Sequence, residues 1–495
     1  MPVNFRKYIR IIFSSFLISN PALSAVFCVD NAFSLQNALG YAGSNGEDDE
    51  IKIQQGTYTG NFVFVTAEDR SLSILGGYTS GCISRVVNPI NTVLDGNNKN
   101  HVINLDGEDS VNFLIQGISV RNGLDNSFPY GYGAGISINV GNDGRVLLYD
   151  NILEKNNAEA GGGVYIDLSQ GTFTEIARNI IRNNNNYGIL IDPYYNSSVI
   201  ITNNVVKNNS GNGIYVHQPE FSDLIVFGNL FLENQTGLWG YTDKAFIANN
   251  TIVNNSTVGI DISLYGPENV SYLNMYNNLF WNNSTDIVIG NDPDSDKIPT
   301  PTILKNNNFD KSSDGIYFTV PIGIDTSNLN KVDPKFVDAV NGDLHLQPGS
   351  PMIDAGYPAT PNLPDTDIEG NPRVLGAAVD IGAYEYDDGS NTKAILTITK
   401  AGNGTGNATS SPSGINCGSD CNQAYDLNTL VTLTAKPTNA NSTFSGWSGD
   451  TDCTDGQVTM TKNLTCTAIF KAVRKLTVTK AGQGSGKVTS TPTGI

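Results

Sequence analysis

The polar and apolar positions of the chain repeat with a period of about 25 residues between Asn151 and Phe309. Each copy starts with Asn, continues with two mostly apolar residues and a variable one, and ends in a polar pair that usually contains Asn. Between copies, a Gly precedes a segment in which apolar and polar residues alternate. The copies start at Asn151, Asn179, Asn204, Asn229, Asn250, Asn278 and, more weakly, Asn307, at intervals of 28, 25, 25, 21, 28 and 29 residues.

This pattern predicts an all-β solenoid. Alternation with period two, in segments rich in Val, Ile, Tyr and Thr, indicates strands rather than helices. Three short strands per period predict a parallel β-helix of roughly ten coils, stacked about 4.8 Å apart. The repeating Asn is expected to stack at one bend, where its amide can bond the Asn of the coils above and below. An Asn-rich low-complexity tract is the alternative, but the apolar positions keep register through every copy.

The N-terminal residues predict export and a capped solenoid. Residues 1–25 are predicted to be a secretory signal peptide, with basic residues first, an apolar run at 11–19 and small residues at 22–25. The apolar run is too short to span a membrane. The apolar spacing after Ala32 predicts a short helix that covers the open first coil. In an exported chain, Cys28 and Cys82 are expected to form a disulfide, with free buried thiols as the alternative.

Several motifs resemble known bacterial families. The Gly-Gly-Tyr-Thr-Ser-Gly-Cys run from Gly76 and the Thr-Val-Leu-Asp-Gly run from Thr92 resemble the opening coils of right-handed β-helices of the pectin-lyase-like superfamily. The phrases that begin at Val332, Asp343 and Asp367, and the Val-Asp-Ile-Gly-Ala-Tyr-Glu-Tyr run that follows them, resemble the choice-of-anchor Q domain of bacterial surface proteins. The resemblance implies a β-helix over 26–345, a closing segment over 346–386, and a secreted or cell-surface location.

A different module is expected after a linker at 387–393. The Leu-Thr-Ile-Thr-Lys-Ala-Gly run from Leu396 returns as Leu-Thr-Val-Thr-Lys-Ala-Gly from Leu476. Residues 394–472 therefore form one module and 473–495 begin a second, so we expect the natural protein to be longer. The complete copy resembles the divergent internalin-type B-repeat. Its four Cys allow three pairings; proximity favours Cys417–Cys421 and Cys453–Cys466, with zinc as the alternative to disulfides.

Charge restricts the partners that the chain can bind. Only 16% of residues are charged, and the net charge is −19. Nucleic acid is excluded because little basic surface is available to neutralise phosphates. The same balance argues against unaided binding of a polyanionic polysaccharide. No segment after the signal is long and apolar enough to span a membrane.

Aligning the coils by their Gly phrase predicts two columns of outward-facing side chains. We call them the first and second column. The first column is Ser137, Tyr165, Leu190, Tyr215, Trp239 and Asp261. The second column is Asn139, Asp167, Asp192, His217, Tyr241 and Ser263.

The columns contain candidate binding and catalytic residues. Aromatic rings stack on sugar rings, so the sequence predicts substrate-binding roles for Tyr165, Tyr215, Trp239 and Tyr241. Two carboxylates about one strand spacing apart, roughly 5 Å, approach the separation used by retaining glycosidases. Their repulsion would raise one pKa, as a general acid needs. The candidate catalytic residues are Asp167, Asp192 and His217.

Three functions remain open at this stage. Exposed strands often carry Tyr, Asp and Thr. The Asn-Thr-Asp, Gly-His-Gly and Arg-Ile-Lys motifs of polygalacturonases are absent from the sequence, and neither column contains their Asp-Asp pair. No basic residue that could act as a lyase base stands in either column. The favoured hypothesis is therefore a non-catalytic protein that binds polysaccharide or surface glycan. The alternatives are a polysaccharide lyase or glycoside hydrolase, and a structural stalk or adhesin; the oligomeric state stays open.

Few other residues suggest a cofactor, and none is expected. Asp292-Pro-Asp-Ser-Asp296 alternates as a Ca²⁺ loop does, but it lacks the Gly and Glu that such loops need, so a solvated acidic loop is the favoured interpretation. His101 and His345 have no partner that the sequence identifies.

Overall fold

The computed structural model describes residues 24–126, 131–217, 223–264, 272–291, 302–319, 322–361, 363–389, 393–418, 420–461, 463–473 and 478–489. The chain divides into two compact units, Met1–Tyr386 and Asp387–Ile495. Residues 1–23 of the predicted signal peptide and the Asp292–Asp296 loop lie outside the described residues. Ser24 and Ala25, at the predicted cleavage site, begin the first strand.

Across the described residues, three parallel sheets of eleven, eleven and ten strands form the first unit. Each coil adds one strand to sheet 1, then one to sheet 2, then one to sheet 3. Sheet 1 contains Ser24–Val29, Asp48–Gln54, Leu72–Tyr78, Asn112–Gln116, Arg145–Tyr149, Phe173–Ala177, Ser198–Thr202, Asp223–Phe227, Lys244–Ala248, Tyr272–Tyr276 and Thr302–Lys305. Sheet 2 contains Gly56–Thr59, Thr92–Asp95, Ser119–Arg121, Ile152–Glu154, Ile180–Arg182, Val205–Lys207, Leu230–Leu232, Thr251–Val253, Leu279–Trp281, Asn308–Phe309 and Leu329–Asn330. Sheet 3 contains Phe62–Thr66, Ile103–Gly107, Ile136–Val140, Val164–Leu168, Ile189–Pro193, Asn212–Val216, Thr236–Thr242, Val258–Leu264, Thr285–Asn291 and Ile316–Phe318.

The sheets enclose a continuous apolar core, as the period-two alternation predicts. Ile136 pairs with Val164, which pairs with Ile189 in the next coil, and all three are fully buried. Equivalent Ile, Val and Leu side chains stack through successive coils as one cluster. The predicted fold class and the β-helix architecture are confirmed.

The Asn that begins each copy forms the predicted ladder at the bend between sheets 1 and 2. Both the backbone N–H and the Nδ2 amide of Asn151 donate to Oδ1 of Asn179 at 3.0 Å. Asn179 bonds Asn204 in the same way, at 2.9 and 3.0 Å. Because these side chains are buried, the ladder pairs backbone groups that the bend would otherwise leave unsatisfied.

A second ladder runs along the bend between sheets 2 and 3. Asn156 donates from its backbone and its amide to Oδ1 of Asn184, both at 3.1 Å, and Asn184 bonds Asn209 likewise. Each member lies five residues after a member of the first ladder, inside the polar pair of the repeat. The sequence pattern contained this signal, but only the first ladder was predicted from it.

The residue before each ladder Asn turns the chain. Asn203 and Asn208 have φ of 53° and 57°, and Gly228 has φ of 66°. Asn and Gly tolerate this left-handed conformation better than other residues. Asn is therefore favoured at two adjacent positions of each bend. At the first it tolerates the left-handed backbone, and at the second its side chain forms the ladder.

A helix covers the first coil, as predicted. It spans Ala32–Ala42, and Leu35 and Leu39 on its inner face are buried against the core. Oδ1 of Asn31 accepts the Ser34 N–H at 2.9 Å and caps its N-terminus. Cys28 and Cys82 are bonded to each other and join the first strand of sheet 1 to the short 3₁₀ turn at Ser80–Cys82; another such turn spans Pro89–Asn91.

The segment expected to close the solenoid lies elsewhere. Ile316, Phe318, Ile322 and Ile324 pack against the end of the main core. Residues 332–386 instead lie along the outer sides of sheets 1 and 2, with the antiparallel pair Phe336–Asp338 and Asp343–Leu346 on sheet 2. The reason is that these sheets carry apolar residues on their outer faces in the later coils, and such residues require a cover.

We call residues 332–386 the side cover, and direct contacts fix it to the coils. The Tyr357 ring stacks on Tyr276, with centroids 5.7 Å apart and planes 15° apart. Asn277 Oδ1 accepts the Tyr357 N–H at 2.6 Å, and Asn249 Nδ2 donates to the Asp380 carbonyl at 3.0 Å. Sheets 1 and 2 of the later coils are therefore covered by the chain itself.

The second unit forms two small sheets with its own core. One contains, in spatial order, Asn422–Asp426, Lys393–Ala401, Leu464–Ala472 and Ser442–Gly449; the other contains Gly406–Ser411, Leu430–Pro437 and Gln457–Thr459. A 3₁₀ turn spans Thr451–Cys453. Cys417 is bonded to Cys421 and Cys453 to Cys466, the pairing that sequence proximity favours.

Candidate functional site

The structure brings the two predicted columns together on the outer face of sheet 3. In the first column, Tyr165 pairs with Leu190, Leu190 with Tyr215, and Tyr215 with Trp239. In the second column, Asp167 pairs with Asp192. Leu190 is the exception to outward exposure in this group: it is only 7% exposed and stands between Tyr165 and Tyr215 in the column.

The aromatic side chains pack on one another. The Tyr215 and Trp239 rings are stacked, with centroids 4.6 Å apart and planes 18° apart. Tyr187 meets Tyr215 edge-on at 5.4 Å, and Tyr241 lies 5.8 Å from Trp239. We call Tyr187, Tyr215, Trp239 and Tyr241 the aromatic cluster.

This packing changes what each ring can offer to a sugar. Tyr215 is flanked by Trp239 and Tyr187, so its faces are largely occupied. Trp239 has one face on Tyr215, while its neighbour in the following coil is the short side chain of Asp261. The sequence analysis treated the aromatic residues as equivalent, but in the structure Trp239 has an aromatic neighbour in the preceding coil and a short carboxylate in the following one.

The carboxylates of the second column have unequal surroundings. Partial burial, with added repulsion from Asp192, raises the pKa of Asp167. His217 Nδ1 lies 3.3 Å from Asp192 Oδ1, so an ion pair forms there when the imidazole is protonated. In the first column, burial raises the pKa of Asp261 to about 6. The three predicted catalytic residues thus lie in successive coils, and Asp261 is a third carboxyl on the same face, two coils beyond His217.

A polar groove of about 490 Å³ lies beside the columns, at the turn between sheets 2 and 3. Its volume falls within the roughly 300–1,000 Å³ typical of ligand sites. We call it the turn groove, and it is lined by Asp125, Asn126, Gly131, Asn157, Ala158, Glu159, Asn185, Asn186, Ser210, Gly211 and Gln235. Sequence reasoning missed it, because its walls come from coils that are far apart along the chain.

His101 has partners, contrary to expectation. Its Nδ1 lies 3.0 Å from the Gly133 carbonyl oxygen, and its Nε2 lies 3.2 Å from Oδ2 of Asp125 in the turn groove. A carbonyl oxygen can only accept, so Nδ1 carries a proton. His101 therefore positions Asp125, a carboxylate that is 9% exposed.

His345 also has partners, which corrects the second expectation. Its Nδ1 lies 2.6 Å from Asp343 Oδ1, and its Nε2 lies 3.0 Å from Glu369 Oε2. Partial burial opposes the charge, but hydrogen bonds to Glu369 and Asp343 outweigh it and raise the pKa of His345. This group joins two parts of the side cover and lies apart from the columns.

Among the residues that the structure describes, no group of three or more His, Cys, Asp or Glu side chains is placed to hold a metal ion. Within the same ranges, no helix has the length and apolar character needed to cross a bilayer.

Comparisons with known proteins agree with this architecture. Residues 91–274 match the family model described as right handed beta helix region, and residues 396–474 match the divergent InlB B-repeat domain. The chain therefore consists of a right-handed parallel β-helix followed by a divergent B-repeat-like domain. No curated protein matches the chain.

Two solved structures are similar to the chain at the level of the fold. The crystal structure of pectate lyase Pel9A has 12% identity and a TM-score of 0.41, covering 74% of this chain and 98% of that one. A mannuronic acid specific polysaccharide family 6 lyase from human gut microbiota has 12% identity and a TM-score of 0.30, covering 60% of this chain and 82% of that one.

Proposed function

We propose that the protein is a secreted or cell-surface protein that binds a polysaccharide or surface glycan on the outer face of sheet 3. The observation that carries this proposal is the aromatic cluster, in which Trp239 is held by Tyr215 with one side towards the short Asp261. A sugar ring can pack on that side, while hydroxyl groups reach the carboxylates and the imidazole of the second column.

Rigidity favours this face as a binding surface. The rings sit on strands whose backbones pair with both neighbouring coils, so little conformational freedom is lost when a ligand binds. The later coils of sheets 1 and 2 are covered by residues 332–386. Sheet 3 therefore presents the aromatic cluster on a face that this cover does not occupy.

Three disulfides support an extracellular location. Bonded pairs persist in oxidising compartments and are rare in reducing ones. The pairs Cys28–Cys82, Cys417–Cys421 and Cys453–Cys466 occur in both units of the chain.

Glycosidic bond hydrolysis is the second candidate. It is favoured by the register pair Asp167 and Asp192 and by the raised pKa of Asp167, which suits a general acid. A lyase is less favoured, because neither column offers Lys or Arg as a base. Binding is the stronger proposal, since it requires only the contacts already described.

The test is a screen of the full chain against soluble polysaccharides, with binding read by affinity electrophoresis and cleavage by release of reducing ends. We expect retardation by at least one polysaccharide and no release of reducing ends. If reducing ends are released and Asp167→Asn does not reduce that release, a contaminating enzyme is the source. If no polysaccharide is bound or cut, the proposal is wrong and a structural stalk becomes the better account.

A further inference from the structure

We infer that the turn groove is a second contact surface for the same glycan, and that it selects sugars that carry hydroxyl groups and no acidic groups. This inference rests on the proposed function and adds a site and a ligand class to it. It is drawn from the position of the turn groove, its hydrogen-bonding groups and its charge.

Two tyrosines that contact the first column directly follow residues that line the turn groove. Gly131 lines the groove, and the next residue, Tyr132, lies with its ring 4.8 Å from Tyr165. Asn186 also lines the groove, and the next residue, Tyr187, belongs to the aromatic cluster. A ligand that lies in the groove therefore reaches the aromatic rings without leaving the surface.

Polar side chains follow the floor of the groove from coil to coil. Asn185 Nδ2 donates to Asn157 Oδ1 at 2.7 Å, and the Ser210 hydroxyl donates to Asn185 Oδ1 at 3.0 Å. These bonds use one amide N–H of Asn185 and leave further amide hydrogens available to a ligand. With Gln235 in the next coil, the row spans three coil spacings, about 14 Å. A row of that length can contact more than one sugar ring of a glycan that lies parallel to the solenoid axis.

Charge excludes acidic sugars from the same surface. Asp125 and Glu159 line the groove, and no Lys or Arg is among its lining residues. Asp167 and Asp192 stand in the neighbouring second column. A uronate chain in this position would meet carboxylates on both sides, and like charges brought together disfavour binding.

Basic residues do occur across the bend, on the sheet 2 side. Arg182 is paired with Glu154 at 2.7 Å, so its charge is already matched. Arg121, also in sheet 2, is paired with Asp95 at 2.8 Å. Lys155 and Lys207 are further cations on that side, at the bend and at the end of a strand of sheet 2. They are the residues through which an acidic glycan could bind if the inference is wrong.

The experiment compares neutral and acidic polysaccharides with the full chain in the presence of EDTA. The neutral probes are hydroxyethyl cellulose, mixed-linkage β-glucan and galactomannan, and the acidic probes are polygalacturonate and alginate. The groove variants are Gln235→Ala and the double variant Asn185→Ala/Gln235→Ala. Asn142→Ala is the matched control, because Asn142 is an exposed Asn that bonds Asp109 of the preceding coil at 3.0 Å on another bend.

We expect a neutral probe to bind and both acidic probes to fail. The double variant should then lose about tenfold in affinity, equivalent to about 1.4 kcal/mol, while the control retains wild-type affinity. Unfolding curves should show that the variants remain folded, and Gln235→Ala, which breaks no bond of the Asn157–Asn185–Ser210 row, should show a smaller loss in the same direction.

The remaining outcomes separate the two proposals. Binding of an acidic probe alone would overturn the ligand class, and Trp239→Ala would then show where that probe binds: a loss of affinity keeps sheet 3 as the glycan-binding face, and unchanged affinity overturns the proposed function as well. Neutral binding that the groove variants leave unchanged would overturn the role of the groove. If no probe binds, both this inference and the proposed function are wrong.

Discussion

Tyr215 and Trp239 come from adjacent coils, and their rings stack at 4.6 Å with an angle of 18°. The stack follows from the coil register, which pairs the two residues directly. Stacking of this kind stabilises the coils, and it also fixes the orientation of Trp239. The same contact therefore serves the fold and, under the proposed function, holds Trp239 ready for a glycan.

Replacing Trp239 tests that surface. Trp239→Ala should weaken glycan affinity by about 1–3 kcal/mol, because the sugar loses an apolar face. Calorimetric titration of a polysaccharide that the wild type binds would measure the loss. Tyr41→Ala is the control, since Tyr41 is 65% exposed on the covering helix, where its ring contacts Phe27 of sheet 1 and no member of the two columns. An equal loss in both variants would argue against a role specific to Trp239.

Carboxamide substitutions separate binding from catalysis. If the face only binds, Asp167→Asn and Asp192→Asn should change affinity little, because an amide still bonds sugar hydroxyls. If the face hydrolyses glycosidic bonds, the same variants should abolish reducing-end release while binding persists, because an amide cannot transfer the proton. We expect the first result.

A ladder residue should matter more to stability than an exposed Asn. Asn204→Ala removes the acceptor that Asn179 bonds twice and leaves buried donors unpaired. The expected loss is about 2–4 kcal/mol in the free energy of unfolding, measured with chemical denaturant. Asn142→Ala, on an exposed bend, should cost less than about 1 kcal/mol. Equal effects would show that the ladder does not carry the stability assigned to it.

The disulfides of the second unit can be tested singly. Replacing Cys453 and Cys466 by Ser opens a link across 13 residues and should destabilise this unit by about 2–4 kcal/mol. The Cys417–Cys421 link closes a separation of 4 residues and should contribute less, because a shorter loop loses less entropy. Thermal unfolding of the oxidised and substituted forms would decide, and free thiols in the natural protein would contradict both statements.

Stability should fall as Asp261 ionises. Its pKa is about 6 in the folded chain, raised by burial, against 3.8 for the ordinary carboxyl. The folded state therefore binds the proton more tightly, so this stabilisation is complete below about pH 4 and is lost as the pH rises through about 6. Asp261→Asn should remove about 1–2 kcal/mol of that pH dependence after allowance for solvent screening. Unchanged profiles of unfolding free energy against pH would refute the assignment.

The repeat pattern predicted the fold because a solenoid converts spacing into position. Once strands stack in register, residues such as Asp167 and Asp192 become neighbours although they lie 25 residues apart. Ring contacts could not be predicted in this way, since the stacking of Tyr215 on Trp239 depends on side-chain rotation. The turn groove escaped prediction for a different reason: its lining residues, from Asp125 to Gln235, come from several coils and share no local sequence motif.

The position of the side cover follows from packing and not from its sequence motif. The phrases at 332–386 implied a closing role, and the outer apolar residues of sheets 1 and 2 decide where that segment lies. Phe227 and Tyr276 are aromatic residues on the outer face of sheet 1, and both are buried beneath the cover. Counting outward apolar residues in each coil would have predicted a cover on these sheets.

The most direct test of the central claim is whether a bound polysaccharide shields Trp239 from solvent. The chain has three Trp residues, so acrylamide quenching of tryptophan fluorescence can be compared between the wild type and Trp239→Phe, with and without a polysaccharide that the wild type binds. The account predicts that the polysaccharide reduces quenching in the wild type and leaves it unchanged in Trp239→Phe. Equal protection in both proteins, or no protection in the wild type, would contradict it.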